Sequence, residues 1–214
     1  GQLAGRLAAK GASITWTAGG RAEAVPAGVE AVPMRASNVV ERASGFAFPL
    51  WSAASLRRLA ACVREADVVH LHEHLYMGNI LARRVAGRAG VPVLVTQHTS
   101  QIWATPGLPA GLRALRLLLA ASNRTLGRWA LGGADQVVFV SSRARDYFAR
   151  LFPFRRPPRY LANGVDRSVF GPVDEAARRA IRSRLGWPTE RPVALFVGRM
   201  IAKKGLPTLR GLTA

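Results

Sequence analysis

The chain has 214 residues, 49% of them hydrophobic, with one cysteine and 31 Lys and Arg against 12 Asp and Glu, a formal net charge of +19. This composition excludes a disordered chain and is long enough for one or two domains with a real core; the lone Cys62 excludes an internal disulfide and a cysteine-based zinc site and points to a reducing, cytoplasmic compartment. No apolar run approaches the ~20 residues that span a bilayer, and the basic field suits nucleic acid, an anionic membrane or a phosphorylated ligand without choosing among them.

Gln2 to Lys10 reads as a helix already under way, without an initiator Met or a visible signal peptide, and Gly11 as its C-cap. Residues 12–17 alternate as a strand and residues 29–32 form a second; residues 36–50 read as irregular. Leu56, Leu59, Ala60 and Val63 have helical spacing within residues 52–65. A strand over residues 67–72 is followed by a helix over 76–89 ending at Gly90, and a strand over 91–96 by a long helix over 110–131. A strand over 136–140, a helix over 143–151 and a short strand at 159–161 lead to the turn signal Asn163-Gly164. Strands alternate with helices and are continuous Val/Leu runs, which predicts an α/β fold with a parallel, Rossmann-like sheet. Ligands of such sheets bind at the carboxyl ends of the strands, so the loops after His72, Thr96 and Val140, and the turn at Asn163, are expected to line one crevice. Pro172 breaks the pattern. An Arg-rich helix ending at Gly186 and a strand over 193–197 then read as the start of a second domain, which sets a boundary between residues 1–166 and 167–214.

Three features carry chemistry. Phe196-Val197-Gly198-Arg199, followed by Lys203-Lys204-Gly205, ends a strand in a glycine, an arginine fork and a lysine charge before a helix N-terminus. That combination suits a diphosphate, although spacing alone equally allows a solvated basic loop. His70, His72 and His74 would share one face of an extended strand, a metal-like pattern, but His74 falls in the loop, so no metal site is expected. On the helix over 110–131, Arg113, Arg116, Arg124 and Arg128 face away from a Leu-rich stripe, the pattern of an ordinary surface helix and also of an interfacial membrane helix. There is no P-loop, no Gly-x-Ser-x-Gly nucleophile elbow and no Gly-x-Gly-x-x-Gly fingerprint.

Five stretches in order resemble the retaining GT-B glycosyltransferases of family 4, the glycogen-synthase-like and mannosyltransferase-like group. They are Asp67-Val68-Val69-His70-Leu71-His72; Pro92-Val93-Leu94-Val95-Thr96-Gln97-His98; Ala134 to Ser141; Asn163-Gly164-Val165-Asp166 with Phe170 and Pro172; and Phe196-Val197-Gly198-Arg199 with Lys204-Gly205. The resemblance implies that residues 1–166 are an acceptor-side domain lacking its first strand, and residues 167–214 the beginning of a donor domain whose glutamate pair is not in this sequence. It implies a cytoplasmic enzyme, peripheral to the inner face of the membrane if the Arg-striped helix is interfacial. That enzyme would move a sugar from a nucleotide-diphosphate donor to the hydroxyl of a sugar, lipid-linked or phosphorylated acceptor with retention, the fragment itself being inactive. By the same resemblance Arg199 and Lys204 bind the donor diphosphate and His98 is the catalytic histidine beside the transferred sugar. His72, Glu73 and Thr99 line the acceptor side of the cleft, and no cofactor or metal is needed. A basic nucleic-acid-binding module and a non-catalytic scaffold of the same fold are the alternatives; few aromatics interleave the basic residues, which disfavours the first.

Overall fold

A computed structural model describes residues 2–19, 25–44, 48–99, 121 and 124–198. Arg199, Lys203 and Lys204 lie outside the described residues, as do Arg113 and Arg116 of the Arg-striped helix. The described residues through Ala162 belong to one compact unit and those from Asn163 onward to a second.

In the first unit, α1 (Gln2–Ala8) leads through Gly11, at φ +90°, into β1 (Ile14–Gly19), which pairs in parallel with β2 (Val29–Met34). Residues 36–50, expected to be irregular, instead contain most of a short antiparallel pair, β3 (Ala36–Ser37) and β4 (Leu50–Trp51), with α2 (Val39–Ser44) between them. The sequence offers no periodicity there because each element is shorter than two helical turns or is a two-residue bridge.

α3 (Ala53–Glu65) starts where the Ser52 side chain accepts the Ser55 N–H, and buries Leu59 and Val63 at i, i+4 spacing. β5 (Val69–His72), α4 (Met77–Ala89), β6 (Val93–Gln97), β7 (Gln136–Phe139), α5 (Ser142–Ala149) and β8 (Arg159–Tyr160) follow. Gly90, in the left-handed region, closes α4 and returns the chain toward β6. The sheet runs β5-β6-β7-β8, all parallel, so the expected α/β architecture with a parallel Rossmann-like sheet is present. Described residues 124–127 are helical and continue into a π-helical turn over Arg128–Gly132.

Register sorts the side chains into two faces. Val69 and Leu71 of β5 pair with Val93 and Val95 of β6, and Val95 and Gln97 pair with Val137 and Phe139 of β7. All of these are buried, in a core that also takes Val32 and Met34, Leu59 and Val63, Ala82 and Ala86, and Phe148 and Phe152. The alternate positions, His70, His72, Leu94 and Thr96, lie on a half-exposed face. Asp135 joins two strand starts: its carboxylate accepts the Val93 N–H at 2.9 Å and the Arg155 guanidinium at 2.8 Å.

The second unit contains α6 (Glu175–Arg184), opened by Asp174, whose carboxylate accepts the Ala177 N–H at 2.7 Å. Asp166 of the Asn-Gly-Val-Asp stretch folds its own turn, its carboxylate accepting the Ser168 N–H at 3.0 Å. Arg182 reaches past Gly186 to the carbonyls of Pro188, Thr189 and Arg191. The strand expected over 193–197 is absent among the described residues. Leu195 is 67% and Val197 83% exposed, and among the described residues no strand pairs with this segment, without which a β-prone stretch has no ladder to join.

Candidate functional site

The carboxyl ends of β5 and β6 lie side by side, with His72 opposite Thr96 in register. Strand alternation then puts His70, His72, Thr96 and His98 on the half-exposed face and Gln97 on the buried one. The His70 Nε2 and Thr96 Oγ1 are 2.8 Å apart, and the His70 and His72 rings are 4.6 Å apart between centroids. His72 Nδ1 stands 3.0 Å from His98 Nε2, with the two rings nearly parallel at 18°. Two ring nitrogens at that separation share one proton, so each ring sets the tautomer of the other. Burial, with His98 beside it, lowers the His72 pKa; burial, with His72 and His98 nearby, lowers that of His70 from 6.5 to about 4. His70 is therefore a neutral imidazole at physiological pH.

The next residue turns the other way. Glu73 is the one non-glycine with positive φ among the described residues, at +69°. Its N–H donates to the Thr96 carbonyl at 2.9 Å, and the Asn79 amide of α4 donates to the carbonyls of both His72 and Glu73, at 2.6 and 2.7 Å. The Glu73 side chain, expected to line a cleft, is only 8% exposed and points into the protein. Its Oε1 accepts the His98 N–H at 3.1 Å, and its Oε2 accepts the Gln97 amide at 2.5 Å and the Thr99 hydroxyl at 3.2 Å. Burial raises the Glu73 pKa, opposed by the bonds from Thr99, the His98 N–H and Gln97.

Gln97, fully buried, uses its whole amide. The NH2 group donates to Glu73 and to the Thr99 carbonyl, at 2.8 Å, while Oε1 faces His74 Nδ1 at 2.8 Å. That orientation makes His74 Nδ1 the protonated nitrogen. His74 is buried, with its ring edge-on to Phe148. The structure thus brings His72, Glu73, His98 and Thr99 together, with His72, His98 and Thr99 exposed and Glu73 beneath them. Gln97 and Asn79 complete the arrangement. Sequence reasoning passed over both; the available signal was a polar residue at an inward-facing strand position and an amide in the first turn of the following helix.

Asn163 and Asp166 fall in the second unit and the diphosphate candidates Arg199 and Lys204 outside the described residues. Among the described residues no group of three or more His, Cys, Asp or Glu side chains is arranged to hold a metal ion, and no helix is long and apolar enough to cross a membrane.

Residues 1–169 match the sequence profile of Glycosyltransferase Family 4. Among curated proteins, the chain is 28% identical over 144 residues to an alpha-maltose-1-phosphate synthase of Mycolicibacterium smegmatis, covering 65% of this chain and 35% of that protein. It is 33% identical over 138 residues to a GDP-mannose-dependent alpha-(1-6)-phosphatidylinositol monomannoside mannosyltransferase of Mycobacterium tuberculosis, covering 54% and 35%. It is 34% identical over 162 residues to a 2-deoxystreptamine N-acetyl-D-glucosaminyltransferase of Streptomyces fradiae, covering 72% and 36%. The chain spans about a third of the length of these relatives. A crystal structure of Anabaena HepE in complex with UDP-glucose aligns with a TM-score of 0.47 and 14% identity, over 76% of this chain and 36% of that one.

Proposed function

The chain belongs to glycosyltransferase family 4, and on that premise we propose that its protein transfers a sugar from a nucleotide-diphosphate sugar to an acceptor hydroxyl with retention of configuration. The observation that carries the reading is the His72–His98 pair, an exposed, hydrogen-bonded couple of imidazoles at the carboxyl ends of adjacent parallel strands, where such sheets bind ligands. His98 orients the transferred sugar and stabilises charge developing on it. His72 fixes the His98 ring, and Thr99 offers a hydroxyl at the same edge. Arg199 and Lys204 hold the leaving diphosphate, whose developing charge is the main thing to stabilise in this reaction. No metal is required in this reading, because a guanidinium and an ammonium supply that charge.

The acceptor in this reading is a phosphorylated or lipid-linked sugar, approached by a cytoplasmic enzyme at an anionic membrane face. The net charge of +19, the exposed Arg124 and Arg128, and a relative named for a phosphatidylinositol mannoside acceptor support it.

The test is to express the whole protein from its natural reading frame and assay it against the common nucleotide sugars, with and without anionic vesicles. Turnover of one donor, lost by about 100-fold or more in kcat on His98→Ala, supports the reading. No turnover or hydrolysis of any donor by a folded protein with His98 intact overturns it.

A further inference from the structure

His72 and Glu73 are consecutive residues that hold His98 from two directions. His72 reaches the ring, at 3.0 Å, and Glu73 reaches the backbone N–H, at 3.1 Å. In an extended strand the side chain of residue 73 would follow Val69 and Leu71 onto the buried face, where an apolar residue is the ordinary choice. Here a carboxylate occupies that place, and three successive residues of the neighbouring loop each give it a donor: the Gln97 amide, the His98 N–H and the Thr99 hydroxyl. The left-handed backbone at Glu73 is unfavourable for a glutamate, and Gly or Asn would adopt it at less cost. The side chain sits on a strained backbone and is 8% exposed, and what it does there is hold three donors with its two oxygens.

We propose that Glu73 is a positioning residue for His98: its buried carboxylate fixes the backbone of residues 97–99 so that the His98 ring is held on His72, at the edge where the sugar is transferred. The proposal rests on the role given to His98 above. A carboxylate suits this task and an amide does not. All three partners present hydrogens, so a group of the same shape with one donor end must either face the His98 N–H or face the Gln97 NH2, whose other hydrogen is already committed to the Thr99 carbonyl. The Gln97 oxygen is already engaged on its other side, with His74 Nδ1 at 2.8 Å.

The experiment uses the whole protein carrying Glu73→Gln. Two readouts are taken: the kinetic constants for the nucleotide sugar, and the His98 backbone amide exchange together with the His72 and His98 imidazole nitrogen signals by NMR. The expected result is a kcat lower by roughly 10- to 100-fold with a donor KM changed by about twofold or less, faster exchange of the His98 amide, and loss of the imidazole pair's signature. A variant that keeps full kcat overturns the proposal, as does one that loses kcat while the His98 amide and ring signals match wild type. If Glu73→Gln does not fold, Thr99→Val removes the donor at 3.2 Å and a long contact from the Gln97 amide at 3.5 Å; it must loosen the same amide to a smaller extent, and unchanged signals there overturn the proposal. Should the wild-type protein transfer no sugar, the functional reading falls, while the amide and ring signals still decide whether Glu73 positions His98.

Discussion

Gln97→Leu separates the polar network from the hydrophobic core beneath it. Leu is close to Gln in volume and suits the buried face of β6 beside Val93 and Val95. The substitution removes the bond to Glu73 Oε2 at 2.5 Å, that to the Thr99 carbonyl at 2.8 Å and that to His74 Nδ1 at 2.8 Å. Thr99 is exposed and recovers its bond from water; Glu73 and His74 are buried and do not. Removing one hydrogen bond from each of two buried groups costs about 1–3 kcal/mol each, and the apolar atoms of Leu return about 1 kcal/mol. The net loss is then about 1–5 kcal/mol, set against the roughly 5–15 kcal/mol that holds a typical domain together. Urea denaturation of the whole protein, followed by far-UV circular dichroism, reads this as a lower midpoint at unchanged slope. A Gln97→Leu variant within about 0.5 kcal/mol of wild type would refute the reasoning, because it would mean that the network contributes nothing that packing cannot replace.

Acid should destabilise the protein through His70. Its folded pKa, near 4, lies below its ordinary 6.5, so the stability it contributes is complete above pH 6.5 and drains away as the pH falls toward 4. His70→Gln, which can keep a bond to Thr96, should flatten the fall of Tm between pH 7 and pH 4. Glu73 acts with the opposite sign: burial raises its pKa, so its cost grows as the pH rises past its ordinary 4.5, and Glu73→Gln should remove that rise as measured by the same Tm series. Gly132→Ala puts a Cβ 2.8 Å from the Pro153 carbonyl, a backbone atom that cannot step aside, and should cost about 1–3 kcal/mol by denaturation. Asp135→Ala leaves the Val93 N–H unpaired at the start of β6; we expect a loss of about 1–3 kcal/mol, of which the exposed partner Arg155 accounts for little.

Much of the site was legible because it is periodic. Alternation along residues 69–72 and 93–97 predicts that His70 and His72 share a face, and parallel pairing of two adjacent Val-rich strands makes His72 and His98 neighbours. The motifs around His98 named it before any geometry did. Glu73 stands out in the sequence beside His72, but its inward direction does not. Its direction depends on a left-handed φ that no local pattern demands of a glutamate, and on donors from residues 97 to 99, more than twenty positions away. Gln97 and Asn79 were invisible for a related reason: a polar residue's meaning lies in its partner, and the partner is set by how strands and helices stack.

The sequence by itself determined the alternation of strands and helices, the parallel sheet, the family and the identity of the histidine at the strand end, because local period and short motifs are properties of neighbouring residues. It could not separate residues 36–50 into their small elements, and it read residues 193–197 as a strand on propensity that only a pairing neighbour could realise. Only the tertiary structure decided that Glu73 faces inward, that His72 and His98 share a proton, and that Gln97 joins them to His74. Each of those depends on a distance of about 3 Å between residues far apart in the chain, which hydrogen bonding requires and which local pattern does not encode.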